Sequence, residues 1–270
     1  MAQSKHVLYG QEKAGEALNK VVYDNEQIFR FGTPPVVSDY EHPAAQLVDG
    51  TAGDTTTHQY ADGLSLTLYG IVGQAIHKPG ANTSGMDYGF DQTDNDGIQF
   101  CMSDSTVKGR EGIDRFTVGK QAFEAELTFS IADVSGTDDC AFGFAKVDVH
   151  RAAIDDCDEM AVLNVISGDI KIETVLNNGT TSTTDTTDDW ADTETHSLKV
   201  KVSKAGAATY EIDGSAPSTT AAFSFDIGEV VTPSYYMLHA SDVAGAIVFQ
   251  KLIIKSDKGS LEAASDLDKS

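Results

Sequence analysis

The stretch HSLKVKVSKAGAATYEIDG, residues 196–214, contains two runs in which apolar and polar side chains alternate. The apolar positions are Leu198, Val200 and Val202 in the first run, and Ala208, Tyr210 and Ile212 in the second. A period of two places one face of a strand toward a core and the other toward solvent. With the short KAGA turn between the runs and the Asp213-Gly214 turn after them, the stretch predicts a β-hairpin with one dry face.

The same alternation recurs from about residue 61 to residue 255. Its best example is AFEAELTFSI, residues 122–131, and further strand candidates lie at 64–72, 97–102, 140–149, 159–166, 169–176, 221–227, 233–240 and 246–255. Many short strands separated by Gly, Asp and Asn turns predict an all-β fold, an antiparallel sandwich or barrel. The predicted core residues are Phe123, Leu127, Phe129, Phe144, Leu198, Val200, Val202, Tyr210 and Ile212. The Thr-rich stretch 177–190 is predicted to be a solvated hairpin tip.

Residues 1–60 lack this alternation, and we predict that they form an N-terminal arm, an extended lead-in to a sandwich spanning residues 61–255. Residues 10–29 contain a short amphipathic pattern typical of a helix, and Pro34, Pro35 and Pro43 favour an extended path. The arm is either an assembly element that lies on a neighbouring subunit or an edge strand of its own sandwich. Residues 256–270 are predicted to be a polar C-terminal tail.

Four passages resemble the concanavalin-like, or laminin-G-like, β-sandwich. They are AFEAELTFSI with the later Gly143-Phe144-Ala145 strand, the Trp … His-x-Leu-x-Val … Tyr-x-Ile-Asp-Gly pattern at 190–214, TPSYYMLHA at 232–240 and GAIVFQKLIIK at 245–255. The resemblance covers roughly half of the chain and implies a jelly-roll sandwich in which Trp190 packs beside the hairpin. Domains of this kind also occur in virion proteins of tailed bacteriophages, so the resemblance further implies a capsid decoration protein.

The chain is strongly acidic, with 42 acidic and 19 basic residues and a formal net charge of −23. Because such a charge repels phosphates, we expect no nucleic-acid partner. The first twenty residues contain no apolar signal core, and no run of about 18 apolar residues could cross a membrane. These features predict no membrane partner and synthesis in a cytoplasm. The resemblance to phage proteins implies that this is a host cytoplasm and that the protein is located in a virion.

The three cysteines, Cys101, Cys140 and Cys157, are widely spaced and odd in number. This arrangement predicts neither a disulfide framework nor a zinc site. His150 and Cys157 are close in sequence, but a nucleophilic pair also needs geometry and an orienting group. We therefore expect no cysteine-based catalysis.

The acidic clusters of the sequence do not match the spacing of a glycosidase site or of an EF-hand calcium site. Glu124 and Glu126 share one strand face, but the third acid of the Glu-x-Asp-x-x-Glu pattern of laminarinase-type enzymes is absent. The stretch 87–97 imitates part of a calcium loop, yet Gln92 and Ser103 occupy the first and twelfth positions, where an EF-hand has acids. The acidic stretch 148–160 is predicted to be a solvated loop. We expect no catalytic, cofactor-binding or metal-binding residue, and a protein that is not an enzyme.

The sequence leaves three functions open. The first is a non-enzymatic virion structural protein that decorates a capsid and contacts the major capsid protein or other virion proteins, with homo-oligomers possible. The second is a carbohydrate-binding, lectin-like module, which requires Tyr235, Tyr236 or Trp190 to face solvent. The third is a degenerate glycoside hydrolase, which requires two carboxyls that face each other across a cleft.

Overall fold

A computed structural model describes residues 115–257 without a gap. Before them it describes residues 24–31, 44–46, 49–51, 53, 55–60, 64–71, 73–77, 79–82, 84–89 and 95–102. The strands are β1 (Asp24–Arg30), β2 (Ala44–Gln46), β3 (Thr55–Tyr60), β4 (Ser65–Ile71), β5 (Gly80–Ala81), β6 (Met86–Asp87), β7 (Gly97–Cys101), β8 (Phe116–Thr117), β9 (Phe123–Ile131), β10 (Thr137–Lys146), β11 (Met160–Ile166), β12 (Asp169–Val175), β13 (Ser182–Asp189), β14 (Thr195–Val202), β15 (Ala207–Ile212), β16 (Phe223–Ser224), β17 (Val230–His239) and β18 (Ile247–Asp257). Two single 3₁₀ turns, Val134–Gly136 and Ile154–Asp156, interrupt them.

The strands form two antiparallel sheets. Sheet A has the order β16-β15-β14-β9-β18-β6-β5, with β1 also paired to β18. Sheet B has the order β13-β12-β11-β10-β17-β7-β4-β3-β2, with β8 also paired to β17. The sheets enclose one large apolar core to which strands of both contribute. The predicted all-β antiparallel sandwich is therefore confirmed.

Strands β14 and β15 form the hairpin predicted from residues 196–214, paired from Leu198 opposite Ile212 to Val202 opposite Ala208. The turn that follows the hairpin, between the bridged residues Ile212 and Ser215, has positive φ angles at Asp213 (50°) and Gly214 (79°), as a tight two-residue turn requires. Trp190 packs against this hairpin, with its ring 4.8 Å from that of His196. The resemblance-based placement of Trp190 beside the hairpin is confirmed.

The predicted core residues are almost all buried. Eight of the nine are at most 3% exposed, namely Phe123, Leu127, Phe129, Phe144, Leu198, Val200, Val202 and Tyr210. Ile212 is the exception, since it is only partly buried where β15 ends. The period-2 pattern of β9, in which every second residue is buried, accounts for this success.

The sheets begin earlier in the chain than residue 61. Strands β1, β2 and β3 lie within the predicted arm, and β1 pairs with β18 along all seven of its residues. Strands β1 and β2 lie at sheet edges and β3 lies between β4 and β2, so this part of residues 1–60 extends the sheets of its own sandwich, in line with the second interpretation of the arm. The predicted helix over residues 10–29 overlaps β1, and the remainder of that segment lies outside the described residues, as do Pro34, Pro35 and Pro43. The domain boundaries stay a prediction.

The Thr-rich stretch differs from its prediction. Residues Ser182–Asp189 form β13, the last strand of sheet B, instead of a solvated hairpin tip. Threonine is β-branched and suits an extended strand, and half of β13 can remain exposed because it lies at the sheet edge. The polar composition therefore marked an edge strand and not a loop.

Candidate functional site

The acids Glu124 and Glu126 lie on the outer face of sheet A, the face turned away from sheet B, and take part in ion pairs. Lys199 Nζ lies 2.8 Å from Glu126 Oε2, and Lys255 Nζ lies 3.5 Å from Glu124 Oε1. These partners come from strands on either side of β9. The two glutamates therefore belong to a charged ladder and not to a catalytic pair.

The aromatic platform required by the lectin-like interpretation is absent at the predicted positions. Trp190, Tyr235 and Tyr236 are only 2%, 1% and 4% exposed. The Tyr235 ring stacks on Phe100 in the core, and the Tyr236 hydroxyl donates to the Ala152 carbonyl over 2.6 Å. The lectin-like hypothesis required one of these aromatics to face solvent, and this requirement is not met, because each ring is covered by the opposite sheet or by a loop.

That loop, residues 147–159, lies across the outer face of sheet B and is called the strap below. Arg151 donates its backbone N–H to Gln99 Oε1 over 2.7 Å, and Ile154 and Cys157 pack with Ala141 and other apolar residues of the outer face. The predicted solvated loop at 148–160 is thus partly packed on the sheet. The strap covers the middle of the outer face, where Val162 of β11 and Val175 of β12 pack with its apolar residues.

Cysteine catalysis finds no support in the strap. Burial raises the pKa of Cys157 to about 12, so the thiol stays protonated near neutral pH. The His150 ring stacks on Tyr69 at 5.6 Å, which gives it a packing role.

Four polar side chains lie side by side on the outer face of adjacent strands, namely Asp139 on β10, Asn164 on β11, Glu173 on β12 and Thr183 on β13. The sequence neighbours of the first three lie in the core, so the alternation of the strands turns these three outward. Glu173 and Thr183 are direct cross-strand partners. We call these residues the polar row.

Asn164 holds the polar row together. Its Nδ2 donates to Asp139 Oδ1 over 2.6 Å and to Glu173 Oε2 over 2.9 Å, while its Oδ1 accepts the Cys140 N–H over 2.8 Å. Thr183 Oγ1 donates to Glu173 Oε1 over 3.1 Å. Asn164 is fully buried, and each of the polar groups named here has a hydrogen-bond partner. The row is therefore rigid.

An open groove of about 460 Å³ runs beside the polar row. Its lining comes from three elements: Asp155 of the strap, Gly179, Thr180 and Thr181 of the β12–β13 turn, and Glu173 and Thr183 of the row. The groove therefore presents carboxylates, hydroxyls and backbone groups, without any basic or aromatic side chain in its lining.

Burial raises the pKa of Asp139 from 3.8 to about 7, and the negative charges of Glu173, Asp138 and Asp155 add to this effect. The hydrogen bond from Asn164 acts in the opposite direction and is the weaker influence. Near neutral pH this carboxyl is therefore in the middle of its titration. The row can offer a proton donor at Asp139 and an acceptor at Glu173 at the same time.

Metal binding finds no support at these positions. Among the residues that the structure describes, no three His, Cys, Asp or Glu side chains are arranged to hold a metal ion. Gln92, Asp94 and Ser103 of the rejected calcium loop lie outside the described residues. Asp96 lies inside them, and its Oδ1 accepts the Gly73 N–H over 3.0 Å.

Sequence reasoning missed the polar row because its members are far apart in the chain. A usable signal was the single Asn164 within the apolar run MAVLNVI, residues 160–166, where a buried amide needs partners. The same holds for Glu173 within DIKIETV, residues 169–175. Their common neighbours appear only once β10 to β13 are placed side by side.

No protein-family model and no curated protein matches this chain. Solved structures of similar fold include the Emp47p carbohydrate recognition domain, at 14% identity and a TM-score of 0.46, covering 67% of this chain and 86% of that one. Lectin II from Ulex europaeus matches at 12% identity and a TM-score of 0.47, covering 87% and 99%. A protein of unknown function from Shewanella oneidensis MR-1 matches at 10% identity and a TM-score of 0.45, covering 95% of both chains.

An alginate lyase, AlgAT5 of polysaccharide lyase family 7, is also similar, at 9% identity and a TM-score of 0.37, covering 74% of this chain and 79% of that one. At these identities the similarities concern the fold and do not identify a ligand. No helix of the described residues is long and apolar enough to cross a membrane.

Proposed function

We propose that the protein is a non-enzymatic binding domain that holds a neutral, hydroxyl-rich ligand of the carbohydrate class in the groove beside the polar row. The observation that carries this proposal is a groove of about 460 Å³ lined by Glu173 and Thr183 of the polar row, in which Asn164 bonds Glu173 to Asp139. This volume lies within the range of small-molecule binding sites.

The chemistry of the groove favours hydroxyl groups. Each sugar hydroxyl can donate to a carboxylate and accept from another hydroxyl, and Glu173, Thr180 and Thr181 provide both kinds of partner. Carboxylated or sulfated sugars are disfavoured, because Asp155 and Glu173 add negative charge to the groove of a chain whose net charge is −23. Recognition would rest on hydrogen bonds and not on stacking against the buried aromatics.

The same geometry argues against glycoside hydrolysis. The two hydrogen bonds of Asn164 Nδ2 place Asp139 Oδ1 and Glu173 Oε2 at most about 5.5 Å apart, near the separation of about 5–5.5 Å in retaining glycosidases. However, the amide of Asn164 already fills the space between the two carboxyls. A glycosidic oxygen has no access to that position, so the pair is a structural and binding element.

The proposal is tested with a glycan array, followed by calorimetric titration of the glycans that bind. Glu173→Ala removes a charged hydrogen-bond acceptor, a loss of roughly 1.5–3 kcal/mol, so affinity should fall by roughly tenfold to more than a hundredfold. Glu124→Ala is the matched control, since it removes a partly buried glutamate from the outer face of the other sheet. The control should bind as the wild type does.

Two results would contradict the proposal. One is an array without a bound glycan at concentrations where the protein is folded. The other is equal affinity of the wild type and Glu173→Ala, with melting curves showing both to be folded. Release of reducing sugar from any arrayed glycan would contradict the non-enzymatic part.

The capsid decoration role, the virion location and contacts with a major capsid protein stay predictions from the sequence. Most of the arm on which they depend lies outside the described residues. Mass spectrometry of purified virions from the source organism would test them directly.

A further inference from the structure

Strand β1 leaves one hydrogen-bonding edge open among the residues that the structure describes. All seven of its residues pair with β18 in one unbroken register, from Asp24 opposite Asp257 to Arg30 opposite Lys251. The Phe31 N–H donates to the Gln250 carbonyl over 2.9 Å, so the backbone groups of Phe31 point toward β18. The backbone N–H and C=O groups of successive residues point to opposite sides of a strand, so those of Glu26, Ile28 and Arg30 point toward the open edge.

Within its described residues, DNEQIFR, β1 has neither a proline nor a bulge in its register with β18 that would prevent pairing. Ile28 is 46% exposed, one of the few large apolar side chains so exposed in the described residues. Proteins usually protect such an edge with proline, a bulge or a covering segment, so an open one points to a pairing partner.

The surroundings of β1 allow a second acidic chain to approach. The ion pairs on the outer face of sheet A join Glu26, Glu124, Glu126 and Glu211 to Lys199, Lys201, Lys251 and Lys255. Four acids and four lysines balance there, on a chain whose net charge is −23. Two copies meeting at this edge therefore avoid the repulsion that acidic surfaces would cause.

We propose that two copies of the chain associate through β1, antiparallel and centred on a two-fold axis at Ile28. This register places Ile28 opposite Ile28 of the second copy, and Glu26 opposite Arg30 twice. The backbone N–H and C=O groups at all of these positions point toward the open edge, so each facing pair exchanges two backbone hydrogen bonds. The strand is thus complementary to itself, as a two-fold interface requires.

The register centred on Ile28 is favoured over the one centred on Glu26. A two-fold axis at Glu26 places two glutamates opposite each other, and like charges in that position are destabilising. A single pair of edge strands buries little area, so association should be weak and visible only as the concentration rises. This inference is independent of the groove, which lies on the other sheet.

Sedimentation velocity over a concentration series up to the millimolar range tests the proposal. The wild type should shift from monomer to dimer. Arg30→Glu places glutamate opposite Glu26, and Ile28→Lys places two lysines on the axis, so each should weaken the dimer at least tenfold. The combined swap Glu26→Arg with Arg30→Glu should restore dimerisation relative to Arg30→Glu alone. Val243→Lys, at a 37% exposed valine elsewhere, is the matched control.

Melting curves check that the variants are folded. We expect them to be folded, because Ile28 is half-exposed and lies at a sheet edge. A wild type that stays monomeric at every concentration would overturn the proposal. So would a dimer with the same dissociation constant in the wild type, Ile28→Lys and Arg30→Glu. Failure of the charge swap to restore a dimer that Arg30→Glu weakens would overturn the register centred on Ile28.

Discussion

At the scale of single residues, Asn164 explains how two acids can share one face of a buried strand cluster. Its amide satisfies Asp139 and Glu173 together, and its carbonyl oxygen is itself satisfied by Cys140. A buried polar network of this kind contributes only when all its members are paired, because an unpaired member would cost roughly 1–3 kcal/mol. The polar row is therefore pre-organised before any ligand arrives.

Asp139→Asn should make the unfolding free energy less sensitive to rising pH. The folded-state pKa of about 7 lies above the ordinary value of 3.8, so burial of this carboxyl costs nothing below pH 3.8 and its full amount above pH 7. The variant should match the wild type near pH 4 and exceed its unfolding free energy by roughly 2–4 kcal/mol near pH 8. Urea unfolding of both proteins across this range measures the difference.

The comparison must be made between the variant and the wild type at each pH. Burial lowers the pKa of His239 to about 4, which removes stability as pH falls from 6.5 toward 4. This opposes the Asp139 effect in the wild type but cancels in the difference between the two proteins. A difference that does not change with pH would contradict the titration assigned to Asp139.

At the scale of elements, β9 shows why the sandwich is specified by alternation. Its nine residues alternate between buried and half-buried without interruption, and Leu127 pairs with Leu198 on one side and Leu252 on the other. Each of these neighbours is fully buried. The strand therefore couples the predicted hairpin to the closing strand β18.

Leu127→Ala should destabilise the protein by roughly 2–5 kcal/mol, because a fully buried side chain is removed from a packed core. Ser130→Ala, on the outer face of the same strand, should change stability by no more than about 0.5 kcal/mol. Chemical unfolding measures both. Equal stability of the Leu127→Ala variant and the wild type would show that β9 is not buried as described.

The elements also show how far the sequence predicts this structure. Strands with clean alternation, such as β9, β14 and β15, follow from their pattern, because a one-residue slip would expose the core face. The polar sequence of β13 predicts a loop although it forms a strand, because an edge strand needs no apolar face. The polar row could not be predicted, because its contacts join residues that only the strand order β10-β11-β12-β13 brings together.

At the scale of the whole molecule, the two outer faces differ in charge and use. The outer face of sheet A carries a balanced ladder of ion pairs, with Lys199 between Glu126 and Glu211 as an example. The outer face of sheet B carries the polar row, the strap and the groove, which is lined by Asp155 and by the largely buried Glu173. We accordingly assign ligand binding to sheet B and self-association to the edge of sheet A.

The location of the bound ligand tests this assignment most directly. A ¹⁵N-labelled sample is titrated with a neutral oligosaccharide that binds on the array, and two-dimensional NMR spectra are recorded. The account predicts the largest shift changes at the side-chain amide of Asn164 and at the backbone amides of Asp155, Thr181 and Thr183. Shift changes confined to the outer face of sheet A, with the Asn164 amide unmoved at saturation, would contradict it.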